Sequence, residues 1–298
     1  MSALLYPKIS IVTPCFNAEK TIEQTLQSVI SQGYPNLEYI VIDGASNDTT
    51  TEIIRRHEKS IAYWSSSKDS GQYDAINKGM ATASGDILCW LNADDMLLPR
   101  SLFTVGEIFS QLPQVEWIST LKPGSWDVNG SLAKIDSLPG FNKNAFMDGL
   151  FLPTVAKKGY WMQQESSFWR KALWAKVGSH IPHFDLAGDF ALWCEFYKHA
   201  TLYGVDYPLA GFRNMEGQRS EDHLRYLTEA KTALELLRKS QSWHVGIDHQ
   251  LRYSKLDNLP FLKERIQRLV GYEGQRIVNR NLKAVNPSWE IEEYRFLP

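Results

Sequence analysis

The sequence predicts an α/β fold: a mostly parallel central sheet flanked by helices over residues 1–220, followed by a helical C-terminal extension over 221–298. Three observations predict it. Short apolar strands alternate with amphipathic segments through the first half of the chain. Each strand closes on polar or turn-forming residues. Beyond Ser220 the pattern becomes helical and polar.

Ile9-Ser10-Ile11-Val12 reads as a buried strand ending at Thr13-Pro14. A helix over 21–32 follows, with Ile22, Leu26, Val29 and Ile30 on one face. Tyr39-Ile40-Val41-Ile42 is a second strand, closed by Asp43-Gly44, and Ser46, Asn47 and Asp48 are capping candidates for a helix near 50–58. A third strand is expected over 61–65, a helix over 73–83 and a fourth strand over 87–91, ending at Asn92-Ala93-Asp94-Asp95. From Lys122 to Tyr160 glycines and Pro139 interrupt the pattern, which predicts hairpins or a loop over a site. Helical spacing returns over 169–177 and 190–199, where Phe190, Trp193, Cys194 and Tyr197 share a face.

Composition narrows the function classes. The 298 residues carry 32 Lys and Arg against 34 Asp and Glu, a net charge of −2, so a general nucleic-acid footprint is not expected. The three cysteines, Cys15, Cys89 and Cys194, lack CxxC spacing, which argues against a disulfide framework or a zinc site and for reduced thiols in a cytoplasmic protein. Met1 to Ser10 holds no long apolar core of a signal peptide, and no apolar run approaches the ~18 residues of a membrane span. The 10 tryptophans suit a core more often than a sugar platform. Between Arg238 and Lys283 ten basic residues face four acidic ones. A solvated helix packed on the main domain is the plainer reading of that bias; peripheral contact with an anionic membrane surface or a partner is the functional one.

In an open α/β sheet, ligands bind beyond the carboxyl ends of the strands. There this chain places Thr13-Pro14-Cys15-Phe16-Asn17, Asp43 and Asp94-Asp95. Carboxylates gathered on one rim need a cation or a donor to stay ionised together, and a hard divalent ion holding substrate phosphates would meet that need. The plainer reading of Asp94 and Asp95 is that they cap a following helix. No GxxxxGK[ST], GxGxxG or GxSxG occurs, so a glycine phosphate cradle and a serine elbow are excluded; Cys15 as a nucleophile is a remote alternative.

The segments 9–17, 41–48, 69–79, 85–99 and 187–193, in that order, resemble the family 2 inverting glycosyltransferases of the GT-A fold, over roughly residues 7 to 220. The resemblance implies metal-dependent transfer of a sugar from a nucleotide-diphospho-sugar to an acceptor hydroxyl, in glycan or cell-envelope polysaccharide biosynthesis. It places Pro14, Phe16, Asn17 and Asp43 on the nucleotide, although many relatives carry Asp-Asp where this chain has Asp43-Gly44. Asp69 and Asp74, in Asp69-Ser70-Gly71-Gln72-Tyr73-Asp74, become donor contacts, with N-capping as the plainer role of Asp69 or Ser70. Asn92-Ala93-Asp94-Asp95 resembles the DxD-type element, with Asp94 near the ribose and Asp95 on Mg²⁺ or Mn²⁺. Asp189 takes the place of the catalytic base, with an N-cap as its plainer role and both compatible; a helix N-terminus would favour its anion and make it a weaker base. Gln164 and Glu165 are candidates for the acceptor, a glycan or a lipid-linked species. Arg213 and Gln218-Arg219-Ser220 resemble the element that closes the domain, with Met215 where relatives often have His. A nucleotidyltransferase on a similar sheet and a non-catalytic sugar-binding protein are the competing readings.

Overall fold

The computed structural model describes residues 6–152, 160–244, 246, 265, 268–281 and 288–298. The first half follows the expected alternation: β1 (Ile9–Cys15), α1 (Ile22–Ile30), β2 (Leu37–Asp43), α2 (Thr50–Arg56), β3 (Tyr63–Ser66), α3 (Gln72–Thr82) and β4 (Ile87–Trp90). Then come β5 (Met96–Leu97), α4 (Ser101–Gln111), β6 (Trp117–Thr120), the hairpin β7 (Gly124–Trp126) and β8 (Leu132–Ile135), and α5 (Lys143–Met147). The second half holds β9 (Phe168–Arg170), α6 (Lys171–Lys176), α7 (Gly188–Phe196), β10 (Leu202–Val205), β11 (Ala210–Arg213), α8 (His223–Ser240), β12 (Tyr272–Asn279) and β13 (Trp289–Phe296).

Period-two alternation in the strands builds the core. Ile9, Ile11, Tyr39, Val41, Ile87 and Cys89 face one side, where Ile22, Leu26 and Val29 of α1, Ile53 and Ile54 of α2 and Leu102 and Val105 of α4 cover them. Val12, Ile40, Ile42, Leu88 and Trp90 face the other, against Ile76 and Met80 of α3, Phe190 and Trp193 of α7 and Ala230 and Leu234 of α8. Each fully buried Ile or Leu contributes roughly 1.5–3 kcal/mol. Under the second layer four indoles meet: Trp193 stacks on Trp117 at 5.3 Å and on Trp90 at 6.0 Å, with Trp169 edge-on to Trp193 at 6.0 Å.

The main sheet runs β13-β12-β10-β6-β9-β4-β1-β2-β3. Its pairs β1/β2, β1/β4, β2/β3, β6/β10 and β10/β12 are parallel, so the mostly parallel sheet is as predicted. A smaller sheet, β5-β11-β7-β8, lies beside it, and its β7/β8 hairpin falls in the glycine-interrupted stretch.

Three expectations need correction. Trp169 does not open a helix: Phe168–Arg170 is a strand, antiparallel to both β4 and β6. Phe168 and Trp169 are buried on opposite faces of the sheet, and that gain outweighs helical spacing. Asp94 and Asp95 cap nothing, because β5 follows them and α4 starts only at Ser101. The extension is helical only in its first part: α8 is followed by β12, parallel to β10, and β13, antiparallel to β12. Both faces of the hairpin are anchored: Tyr272 and Phe296 pack into the core on one side of the sheet, Ile277 and Trp289 into the core on the other.

The basic tail is partly neutralised in place. Arg276 pairs with Glu292 at 2.8 Å, Arg280 with Glu290 and Glu292, and Arg295 with Glu273. Arg252, Lys255, Lys263 and Lys283, four of those ten bases, lie outside the described residues. Among the described residues no helix is long and apolar enough to cross a membrane.

Candidate active site

A cleft of about 910 Å³ opens at the carboxyl ends of β1 and β4. Pro14, Phe16, Asn17, Asp69, Asp94, Gln164, Glu165 and Asp189 all line it. Eight of the expected site residues, drawn from five separate stretches, thus meet at one place. Asp43, Asp74 and Asp95 do not line it.

One end of the cleft is shaped by the loops after β1 and β2. Phe16 is 63% exposed, so it is no core residue but a free ring at the rim. Asn17 adopts a left-handed φ of 50° and stitches the two loops together. Its N–H donates to Ser46 Oγ at 2.8 Å, and its Oδ1 accepts from Asn47 N at 3.0 Å. Asp43 is fully buried below, accepting from Ser46 N at 3.0 Å and Ser66 Oγ at 2.6 Å, so it shapes these loops from behind the cleft. A Cβ on Gly44 would lie 2.7 Å from Asp69 Oδ2, so a side chain there would push the Asp69 carboxylate aside. Asp69 therefore brings a carboxylate to the spot where residue 44 has none. Asp74 is occupied elsewhere, accepting from Ser70 N at 2.9 Å and pairing with Lys78 at 2.9 Å. Neither Asp69 nor Ser70 caps α3, whose N-cap is Gly71 at φ 119°.

Next along the cleft stands an acidic group. Asp94 faces the cleft and accepts from Gln218 Nε2 at 2.8 Å. Asp95 lies fully buried behind it, its Oδ1 taking Arg213 N at 2.9 Å and its Oδ2 taking Asn92 Nδ2 at 3.1 Å. Burial first, then the charges of Glu165 and Asp94, push the Asp95 carboxyl well above the usual range. Glu165 is 3% exposed and its Oε1 has no hydrogen-bond partner among the described residues. Burial, then the nearby charges of Asp94 and Asp189, raise it too. Gln164 is fixed by donating to Trp90 O at 2.7 Å and accepting from Asn92 Nδ2 at 3.2 Å.

Among the described residues no three His, Cys, Asp or Glu side chains converge on a single point. The described residues would thus offer a divalent ion at most a carboxylate pair. That matches the hard-ion pattern of one or two carboxylates completed by phosphate oxygens and water. Undercompensated carboxylates and an orphaned Glu165 oxygen would suit a cation here; Asp94 faces the cleft, whereas Asp95 lies behind it with a hydrogen bond on each oxygen.

Asp189 lies in the first turn of α7, which has Ala187 at its N-cap, so Asp189 caps nothing. Its carboxylate accepts from Tyr226 OH, 3.0 Å from Oδ1 and 3.2 Å from Oδ2. Burial pushes it up to about 6 against the bonds from Phe190 N–H and Tyr226 that lower it. The expected lowering by the helix N-terminus is thus outweighed, and Asp189 is the stronger base for it. Cys15 is buried and its thiol is pushed up by that burial and by Asp43, the opposite of an activated nucleophile. All three cysteines are free, as expected, and all three are buried.

Residues 10–122 match Glycosyl transferase family 2. An uncharacterized glycosyltransferase of Mycobacterium tuberculosis (H37Rv) is 32% identical over 203 residues, covering 66% of this chain and 70% of the relative. This chain belongs to glycosyl transferase family 2. As a family 2 glycosyltransferase it is also similar to the GalNAc(5)-diNAcBac-PP-undecaprenol beta-1,3-glucosyltransferase of Campylobacter jejuni, at 25% identity over 66% of this chain and 62% of that protein. Two solved structures share the fold: S. aureus TarS 1–349 in complex with UDP-GlcNAc (TM-score 0.54, 16% identity, 88% of this chain and 84% of that one) and the mannosyltransferase PcManGT from Pyrobaculum calidifontis with GDP-Man and Mn²⁺ (TM-score 0.55, 18% identity, 87% and 74%). The architecture is GT-A, the activity class is sugar transfer, and the nucleotidyltransferase and non-catalytic readings fall away.

The family 2 resemblance left several cleft residues unassigned. Tyr226 and His223 enter from α8, beyond the resembling stretch. Arg219 reaches Gln72 Oε1 at 3.1 Å, and Gln218 holds Asp94, so 214–220 closes one wall. Trp161, 48% exposed, adds an aromatic wall. Tyr226 has a legible signal: it shares a helical stripe with Ala230, Ala233, Leu234 and Leu237, all buried.

Proposed function

We propose that this glycosyltransferase moves a sugar from a nucleotide-diphospho-sugar to an acceptor hydroxyl with inversion at the anomeric carbon, assisted by Mg²⁺ or Mn²⁺. The observation that carries the reading is Asp189: a carboxylate with a raised pKa of about 6, lining the same cleft as Asp94 and Phe16. At pH 7 it is mostly ionised yet more basic than an exposed Asp, which suits a general base.

Phe16 stacks on the nucleotide base, and Pro14, Asn17 and Asp69 flank it, with Asp43 keeping the two loops in register from beneath. Asp94 meets the ribose and, with Asp95 behind it, would hold the ion; Asp74 supports the turn before α3 from outside. The bound ion supplies Lewis-acid neutralisation of the departing diphosphate. Asp189 takes the acceptor's proton as its oxygen attacks opposite the leaving group, and a single displacement inverts the centre, the logic that inverting glycosidases also use. Gln164, Glu165 and the exposed Trp161 ring receive the acceptor. A glycan or lipid-linked glycan, met by a cytoplasmic enzyme at the membrane face, fits this aromatic and polar wall. The acceptor named in the Campylobacter relative and the UDP-GlcNAc and GDP-Man bound by the structural neighbours support this reading.

The test is a panel of UDP-, GDP- and dTDP-sugars with and without Mn²⁺, read by melting temperature and donor hydrolysis. The expected result is one donor class that stabilises the fold and does so more strongly with the ion. No stabilisation by any nucleotide-sugar, with or without the ion, overturns the reading.

A further inference from the structure

Every part of the Asp189 region is held by a side chain from elsewhere. The Tyr226 phenol of α8 sits between the two carboxylate oxygens, at 3.0 and 3.2 Å. Glu229, also on α8, accepts from Leu186 N at 2.8 Å and Ala187 N at 3.0 Å, fixing the turn into α7. Tyr73 of α3 accepts from Asp189 N at 3.3 Å while donating to Leu186 O at 2.7 Å. Gly188 is what lets that ring approach, since a Cβ there would lie 2.7 Å from it. The helix that follows the family resemblance therefore supplies two of these three grips.

We propose that Tyr226 is a positioning residue for sugar transfer: its phenol holds the Asp189 carboxylate in the orientation that meets the acceptor hydroxyl. The inference rests on the reading of Asp189 as the base. One O–H donates to one oxygen at a time, so the carboxylate keeps a free lone pair facing the cleft, which Tyr226 itself lines. The bond also lowers the carboxyl's pKa against the burial that raises it.

The groups that face Asp189 are few. Tyr73 comes from α3, and Tyr226, Glu229 and the cleft residue His223 come from α8. Glu165 feels the Asp189 charge from the 164–166 turn, Arg219 acts on Tyr73, and Cys194 on α7 itself lies near Tyr226. Of these, Tyr226 has both carboxylate oxygens within hydrogen-bond range, while the Phe190 N–H of α7 and, less strongly, the Tyr73 hydroxyl also favour the ionised form.

The experiment compares Tyr226→Phe, Asp189→Asn and the parent enzyme in steady-state kinetics from pH 5 to 9, with a bound donor's effect on melting temperature as the folding check. In Tyr226→Phe, kcat falls about tenfold or more, donor KM stays within about twofold, and the acidic limb of kcat/KM moves up by about one pH unit. A chain carrying 3-fluorotyrosine at 226, whose more acidic phenol donates more strongly, moves that limb down and serves if Tyr226→Phe does not fold. A limb unmoved in the folded variant, whether or not kcat falls, overturns the proposal and leaves Tyr226 as packing. If Asp189→Asn turns over like the parent, the base reading falls and takes this proposal with it. If Asp189→Asn is inactive while the Tyr226 variants match the parent, the base stands and the positioning role alone falls.

Discussion

The two ends of the central sheet treat their half-buried carboxylates in opposite ways. At the amino end, Glu38 on β2 accepts from Lys8 Nζ at 2.6 Å, Ser10 Oγ at 2.5 Å, and Ser84 N at 2.7 Å and Oγ at 2.6 Å. Burial alone would raise its pKa, yet these donors hold it down at about 2. At the carboxyl end, Asp189 has Tyr226 on its oxygens and rises to about 6, and Asp95 and Glu165 rise too, short of compensation. The contrast separates a carboxylate that locks strands together from carboxylates left short for a ligand to complete.

The sharpest way to break this comparison is Asp189→Asn. Transfer should drop about 10³-fold while donor-induced stabilisation persists. The same variant should also be more stable than the parent at pH 8. Because Asp189 binds its proton more tightly in the folded chain, its ionisation lowers stability as pH rises from about 4 through about 6. Denaturant titration should therefore show a gain on the order of 1–3 kcal/mol at pH 8 that fades towards pH 4. Equal stability at both pH values would contradict the burial argument.

Glu38→Ala tests the other end. It should cost about 2–4 kcal/mol by urea unfolding, with kcat per folded molecule unchanged. Here the linkage runs the other way. The folded pKa is depressed, so this stabilisation is complete above about pH 5 and is lost as pH falls towards 2. Gly188→Ala sharpens the site side: the added methyl meets the Tyr73 ring, and we expect about a tenfold fall in kcat with a loss of ~1–2 kcal/mol in stability. The smallest effect belongs to Phe16→Ala, which should raise donor KM about fivefold, near 1 kcal/mol of stacking, and leave the melting temperature of the free enzyme unchanged.

Much of this was legible in the residues. β1, β2 and β4 bury alternate side chains on two covered faces, so their apolar runs stood out, and the polar punctuation after each marked the cleft rim. Phe168–Arg170 was not legible as a strand, because a three-residue strand has no period long enough to compete with the helical spacing around it. The burial of Asp43 and Asp95 was hidden for a related reason: sequence places a carboxylate at a strand end but does not say which donors turn it inward, Ser46 and Ser66 for one, Arg213 and Asn92 for the other. Tyr226 was missed because a boundary at Ser220 separated it from Asp189, although they touch across the α7–α8 contact.

The C-terminal hairpin also decides how the molecule meets its neighbours. Without β12, the strand Leu202–Val205 would present bare amide and carbonyl groups along an apolar segment, a template for pairing with other chains. The hairpin moves that boundary outward to β13, where Glu290, Glu292, Glu293 and Arg295 carry charge along the rim. Shortening the protein before Tyr272 should therefore turn a well-behaved particle into one that self-associates, by a route independent of catalysis.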